Sequence, residues 1–226
     1  MKFVSWNAKR KSIENVDLIP LLEMNPDIIA FQELRPVYRG KLSEDIVEDL
    51  SEYLQIWNNI GYGMALFTRR RDFKMMSIDF DGRTMTLDFD KFLFVNLEAP
   101  MLFHFGSEDY IEWFKVFRRF MIKISQLKPV VIGGTFNVMT NNIDIPPEDA
   151  LVMRNLLKTG YIDTFSELHP DEEEAYTYKA PAAMNFDRRM DYFFVSGDLK
   201  DRIKTATIEE EILSGNHRPI TLDIEI

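Results

Sequence analysis

Short apolar runs alternate with longer amphipathic stretches from one end of the chain to the other. Phe3–Trp6 reads as a short apolar strand. Ser12–Glu23 predicts a helix, with Ser12 as N-cap and Ile13, Val16, Ile19 and Leu22 on one face; Pro20 would kink or break it. Asp27–Glu33 (DIIAFQE) predicts a buried strand that ends in a carboxylate, and Glu44–Leu54 a second amphipathic helix. Strands are expected at Gly63–Thr68, Met75–Phe80, Thr84–Phe89 and Phe92–Leu97, with Asp81-Gly82 as a hairpin turn. Glu108–Leu127 predicts a long helix whose core stripe is Ile111, Phe114, Phe117, Met121 and Ile124. Pro129–Gly133 (PVVIG) is a fully apolar strand, and Pro147–Lys158 a helix with proline in its first turn, where a missing N–H costs nothing. Asp191–Ser196 and Pro219–Ile226 close the chain as strands. Hairpins mixed with crossover helices imply a mixed sheet, or two sheets with helices outside, rather than a purely parallel fold.

Composition narrows the chemistry. A chain of 226 residues with 46% apolar and 28% charged residues is ordinary globular material and is expected to form one domain, 1–226. With no cysteine it has no disulfide framework, zinc-thiolate site, iron–sulfur cluster or cysteine nucleophile. No apolar run is long enough to span a bilayer, and the first residues lead straight into strand-like sequence; a cytoplasmic protein, a monomer with no membrane partner, is the expectation. The 27 basic and 37 acidic residues give a net charge of −10, unlike a generic nucleic-acid binder. Basic clusters do occur at Lys9-Arg10-Lys11, Arg69-Arg70-Arg71, Arg118-Arg119 and Arg188-Arg189; alone, each is as well explained as solvated surface. Polar residues gather at predicted strand ends, namely Asn7, Glu33, Asn137, Asp191 and His217. Layered α/β folds build their sites there.

Eight blocks then come in a telling order: Lys2–Asn7 (KFVSWN), Pro26–Glu33 (PDIIAFQE), Gly61–Thr68 (GYGMALFT), Asp81–Arg83 (DGR), Gly160–Phe165 (GYIDTF), Ala175–Tyr178 (AYTY), Arg189–Ser196 (RMDYFFVS) and Asn216–Ile220 (NHRPI). In this order the chain resembles the exonuclease III and apurinic endonuclease branch of the endonuclease/exonuclease/phosphatase superfamily, from residue 2 to residue 226. The resemblance implies an α/β fold, a four-layer α/β/β/α sandwich of two mixed sheets flanked by helices. It also implies a site across the top of the sheets that cleaves phosphodiesters with a divalent cation, Mg²⁺ or Mn²⁺, and an activated water. Glu33 matches the family's metal-binding glutamate, a hard oxygen ligand suited to Mg²⁺. Asn7 matches an asparagine that orders the metal site and phosphate, and Asn137 the asparagine of the Gly-Asp-x-Asn motif. His217 matches the histidine of Ser-Asp-His, which would donate to the scissile phosphate as charge builds up. Asp191 matches the aspartate that holds that imidazole in the right tautomer. His104 and His169 carry no motif and are read as structural or surface residues.

Three positions depart from the pattern. The Gly-Asp-x-Asn motif reads Gly134-Thr135-Phe136-Asn137, so a threonine stands where an aspartate would deprotonate the attacking water. Losing a positioned general base commonly costs about 10²–10⁴ in rate. Ser-Asp-His reads Gly215-Asn216-His217, which removes a second carboxylate. The family tyrosine falls at Glu98, in Asn96-Leu97-Glu98-Ala99-Pro100. Two carboxylates are lost and one is gained. Either catalysis has decayed on an intact fold, or Glu98 takes over as ligand or base; spacing alone does not choose.

The substrate implied is DNA, with RNA as an alternative. Lys9, Arg10 and Lys11 follow Asn7 and would touch phosphates; Arg69, Arg70, Arg71, Arg188 and Arg189 are expected to complete a basic rim beside the site. The segments from Asn137 to Pro147 and from Tyr178 to Asp191 are short for this branch, which puts abasic-site recognition in question. Three readings stand: a metal-dependent phosphodiesterase that is impaired or specialised, a catalytically inactive nucleic-acid-binding module, and a small-molecule phosphoesterase.

Overall fold

In the computed structural model, the described residues form twelve strands that divide between two six-stranded sheets. The structure describes residues 1–35, 44–58, 63–139, 145–172, 175–180, 187–212 and 215–226. Gly61 and Tyr62 of one family block, and the middle of the two short segments before Pro147 and Asp191, lie outside the described residues. Sheet one contains β1 (Lys2–Asn7), β2 (Ile28–Gln32), β3 (Leu54–Asn58), β4 (Met64–Thr68), β11 (Ile203–Ile208) and β12 (Ile220–Ile224), in the order β11-β12-β1-β2-β4-β3. Sheet two contains β5 (Phe73–Asp79), β6 (Thr84–Phe89), β7 (Leu93–Glu98), β8 (Val130–Thr135), β9 (Tyr161–Asp163) and β10 (Asp191–Ser196), in the order β5-β6-β7-β8-β10-β9. The pairs β1–β2 and β7–β8 are parallel and their other neighbours antiparallel, so both sheets are mixed, as the resemblance implies.

The central strands read as unbroken apolar runs because both of their faces are covered. Side chains alternate faces with period two. In β2, Ile28 and Ala30 point between the sheets, while Ile29 and Phe31 point outward. In β8, Val131 points inward; Val130 and Ile132 pack outward. The outer face of sheet one lies under α1 (Ile19–Glu23) and α2 (Glu44–Ser51), through Leu21 and Leu50. The outer face of sheet two lies under α4 (Ser107–Ser125) and α5 (Pro147–Leu157). A short α3 (Leu102–Phe105) precedes α4, and α6 (Thr164–Leu168) follows β9. No described helix is long and apolar enough to cross a membrane.

Local chemistry corrects several expectations. Ser12–Glu23 is not one helix: it forms a single 3-10 turn at Ile13–Asn15 and then α1, with Pro20 in the first turn of α1, where its ring is tolerated. Ser12 caps nothing and instead bridges to Arg35. Leu54 begins β3 rather than ending α2. On α4 the fully buried residues are Tyr110, Phe114, Phe117, Met121 and Ile124; the expected Ile111 packs partly buried against the same core, and Tyr110 joins the stripe with its hydroxyl 2.7 Å from buried Asp149. Strands β3, β9 and β11 go beyond the expected set, β3 because Leu54–Asn58 follows directly on a helix-like run. Strand β9 has three residues, and β11 is a sheet edge with alternating polar positions.

The space between the sheets changes character along the strands. At one pole it is filled by Phe3, Ile28, Phe89, Phe92 and Phe94. Toward the other pole the same inward positions become Ser5, Gln32 and Asn96. Gln32 Nε2 donates across the gap to Asn96 Oδ1 at 2.7 Å, and to Ser5 Oγ at 3.0 Å. Asn96 Nδ2 in turn donates to the Phe31 and Ala65 carbonyls at 3.0 and 3.3 Å. Truncating a fully buried amide leaves these partners without hydrogen bonds, at about 1–3 kcal/mol for each buried group left unpaired. Asn96→Ala is expected to destabilise the fold by about 3 kcal/mol. Urea unfolding checks this: the midpoint should fall with the slope unchanged.

Candidate active site

The polar pole is where the inward-facing ends of five strands meet. Asn7 ends β1, Gln32 ends β2, Glu98 ends β7, Thr135 ends β8 and Asp191 begins β10. The registers hold them in rows: Asn7 pairs with Gln32, Glu98 with Thr135, and Thr135 with Asp191. His217 arrives from the segment before β12, anchored by its carbonyl, which accepts Trp6 Nε1 at 3.0 Å.

Hydrogen bonds link the ends of the two sheets. Asp191 Oδ2 lies 2.8 Å from His217 Nδ1. A carboxylate only accepts, so Nδ1 carries the proton and Nε2 is the nitrogen turned to other partners. Asp191 Oδ1 accepts the Thr135 hydroxyl at 2.6 Å. Thr135 Oγ1 in turn accepts Asn7 Nδ2 at 3.1 Å, and the same amide lies 3.3 Å from Glu33 Oε1. Asn7 Oδ1 accepts the Lys9 backbone N–H at 2.8 Å, closing the turn after β1. The structure therefore brings Asn7, Glu33, Thr135, Asp191 and His217 into one hydrogen-bonded chain.

Backbone strain accompanies this convergence. Glu33 and Asn137 both sit in the left-handed region, at φ 51° and 54°. Such non-glycine conformations cost on the order of 1 kcal/mol each and cluster at functional positions. Gly134 is required beside them: at φ 151°, a Cβ would lie 2.0 Å from the Leu97 carbonyl oxygen.

The remaining expected residues divide. Asn137 follows β8, and its Nδ2 donates to the Ala99 carbonyl at 2.7 Å. Asn216 is clipped to Lys179 by two hydrogen bonds, at 2.7 and 2.8 Å, so its side chain is tied outside the central chain. Arg10 Nε lies 3.4 Å from Glu33 Oε2, and Lys9 Nζ sits 4.8 Å from the Tyr178 ring centroid. Lys11 stays in the turn after β1, its backbone bonded to Ala8 and Arg35. Arg188 pairs with Tyr178 through both backbone groups, close to the start of β10. His169 is structural, bonded to Glu172 and the Ala206 carbonyl; His104 lies on α3.

The basic rim needs correction. Arg69 and Arg70 lie at the opposite pole. Because β4 runs antiparallel to β2, Met64 sits opposite Gln32 and Thr68 opposite Ile28, so the chain leaves β4 at the far end. Five residues of strand separate the two poles by roughly 13 Å. There Arg69 pairs with Glu52 at 3.0 Å and with Asn25, Arg70 pairs with Asp72, and Arg71 bonds the Thr68 and Glu52 carbonyls. Arg189 is also structural: it is buried and binds Asp163 through two bonds, at 3.0 and 2.7 Å.

Sequence reasoning missed three contributors. Gln32 was quoted in a motif without a role, yet it ties the sheets together beneath the site. Tyr178 lay in the AYTY block; its ring packs edge-on against His217, with centroids 4.9 Å apart. Thr177 accepts the Met190 and Asp191 N–H groups on its hydroxyl at 3.0 Å each, which fixes the start of β10.

Charge is unbalanced at one place. Glu98 is buried, and its carboxyl is pushed up to about 8, first by loss of solvent and second by the charge of Glu33, with Arg83 and Arg10 opposing. A carboxyl raised in the folded state binds its proton more tightly there than in the unfolded chain. The associated stability is full below pH ~4.5 and is lost as pH rises through about 8. In metal-free buffer, unfolding free energy is expected to decline across that window by an amount on the order of a few kcal/mol, and Glu98→Gln should flatten the decline. Denaturant melts at a series of pH values measure it.

Among the described residues no three His, Asp or Glu side chains gather into a ready metal cage. No family model matches the chain. An exodeoxyribonuclease of Bacillus subtilis is 29% identical over 255 aligned positions that take in all of both chains. A DNA-(apurinic or apyrimidinic site) endonuclease of Dictyostelium discoideum is 26% identical, covering all of this chain and 71% of its own. The solved structure of an AP endonuclease from Archaeoglobus fulgidus superposes over all of both chains with a TM-score of 0.77 at 18% identity, a likeness of fold.

Proposed function

We propose that the chain is a member of the exonuclease III and apurinic endonuclease branch of the endonuclease/exonuclease/phosphatase superfamily, and that it is a metal-dependent DNA phosphodiesterase with a weakened general base; its likeness over its full length to an exodeoxyribonuclease and an AP endonuclease supports this reading. The observation that supports this reading best is the hydrogen-bonded chain from Glu33 through Asn7, Thr135 and Asp191 to His217.

The residues present fit a hard divalent cation. Glu33 supplies carboxylate oxygen at a partly exposed strand end, with a side chain 21% accessible. Mg²⁺ commonly uses one or two carboxylates plus water and substrate phosphate rather than a full protein cage. Glu33 would hold it, and Mg²⁺ or Mn²⁺ bound there supplies a Lewis acid for a phosphoryl oxygen. Asp191 fixes the His217 ring so that Nε2 faces the phosphate. Asn137 uses one amide N–H on Ala99 and keeps a second, because an amide nitrogen carries two. In the reaction a water oxygen bonds to phosphorus and one ester P–O bond breaks; the water gives up a proton to a base or to solvent, and the leaving oxygen takes one up as the hydroxyl product.

Thr135 is ill suited to take that proton. Its own hydrogen is given to Asp191, and its oxygen already accepts from Asn7. Asp191, the nearest carboxylate, has both oxygens engaged. Slow turnover follows, and DNA binding with little cleavage is the second reading that Thr135 favours.

Cleavage of labelled single-stranded, duplex and abasic DNA with Mg²⁺ or Mn²⁺ is expected to be weak, to stop with EDTA, and to vanish in Glu33→Ala. Thr135→Asp should raise the rate about 10²-fold or more, whereas Asn216→Asp alone should change it little, since that side chain is tied to Lys179. No gain from Thr135→Asp counts against the missing base. Salt-titrated binding tests the corrected basic face: Lys9→Ala should weaken duplex affinity and reduce the salt slope by about 1, while Arg69→Ala and Arg70→Ala leave both unchanged.

A further inference from the structure

Glu98 stands where the resemblance implies a tyrosine, and its surroundings are poor for a lone carboxylate. It ends β7 on the face turned toward sheet one, and its side chain is 6% accessible. Among the described residues its carboxylate accepts no hydrogen bond, and its one ion-pair contact there is Arg83 Nη1 at 3.9 Å. The strand register sets Glu98 beside Thr135, and the Asn7 amide reaches both Thr135 Oγ1, at 3.1 Å, and Glu33 Oε1, at 3.3 Å. Two carboxylates of like sign thus face one space, Glu33 at its solvent side and Glu98 behind. Buried charges of this kind are stable when paired or when they coordinate a metal. The other carboxylate of the cluster, Asp191, is fully engaged by Thr135 and His217.

We propose that Glu98 and Glu33 together hold one divalent cation, Glu98 supplying the buried oxygen ligand of a site depleted of aspartates. The pairing rests on the reading of Glu33 as a metal ligand and adds a residue that the family pattern does not place there. It suits Mg²⁺ or Mn²⁺, which accept two carboxylates and keep several waters. It also requires the cation to lie toward β7 rather than toward the β8–β10 pair.

Direct Mn²⁺ binding to the full chain, stripped with EDTA and dialysed, tests this by electron paramagnetic resonance of the free ion. The wild type is expected to bind one Mn²⁺. Glu98→Gln and Glu33→Gln should each weaken binding at least ~10-fold, and exposed Glu225→Gln should not. In EDTA, Glu98→Gln should melt at or above the wild-type temperature and lose the rise that Mn²⁺ gives the wild type; a purely structural glutamate would lower the melt instead. Glu98→Asp, which keeps the charge but retracts it, should bind with intermediate affinity and serves if the glutamine variant does not fold. Wild-type affinity in Glu98→Gln, with binding lost in Glu33→Gln, overturns the pairing and leaves Glu33 as ligand. Absence of Mn²⁺ binding by the wild type overturns the pairing outright. EDTA-insensitive cleavage, by contrast, overturns the metal-dependent reading itself.

Discussion

A single buried carboxylate fastens the two halves of the site. Asp191 is only 4% exposed, and a carboxylate so deep must have both oxygens satisfied. One oxygen takes the Thr135 hydroxyl from the neighbouring strand; the other takes the His217 ring from a segment 26 residues away. His217 is held in turn by the Trp6 indole of sheet one, and Thr135 by the Asn7 amide of the same strand as Trp6. The two sheets therefore close around Asp191 at the polar pole, much as their aromatic side chains close the other. Losing this carboxylate would free the histidine and release the end of β1 together.

Period-two patterning explains why the polar pole exists at all. Inward positions of the central strands run from apolar to polar residues: Phe94, Asn96 and Glu98 in β7; Ala30 and Gln32 in β2; Phe3, Ser5 and Asn7 in β1. The buried amides are a transition zone. They occupy space that is too deep for water yet adjoins charged groups, and each satisfies its donors on the opposite sheet or its own backbone. Such a zone gives the site a rigid floor.

Much of this was legible in the residues. The buried strands around DIIAFQE, PVVIG and DYFFVS, and the helix at α4, follow from apolar runs and a 3-4 spacing, and the ordered blocks pointed to the two-sheet sandwich. The convergence of Asn7, Glu33, Asp191 and His217 depends on pairings between residues 26 to more than 200 positions apart, which the blocks suggested and no local pattern encodes. Arg69 and Arg70 misled because a cluster next to a motif strand is near the site only if the strand leaves in that direction, and β4 leaves in the other. Arg189 misled for a different reason: basic character alone does not distinguish a phosphate contact from a buried partner for Asp163. The split of Ser12–Glu23 turns on Pro20, which was flagged as a break and serves as a start.

The substitutions at 98 and 135 act together once the register is known. Strands β7, β8 and β10 place Glu98, Thr135 and Asp191 in one row on the inner face. An aspartate at 135 would set two carboxylates at one strand spacing, about 4.8 Å. With threonine in the middle and glutamate at the outer position, the two carboxyl groups of the row stand two spacings apart, about 9.6 Å, so that when both are ionised they repel less. At equal dielectric the longer separation halves their repulsion. The hydroxyl between them hydrogen-bonds to Asp191, which a second carboxylate could do only by keeping a proton. A carboxyl group has therefore moved one strand over rather than vanished. The place beside the histidine lacks the aspartate that the resemblance implies there, while Glu98 adds a carboxyl group on the β7 side of the row. On the proposed reading, a site arranged in this way would bind a cation and a phosphate but would activate water slowly.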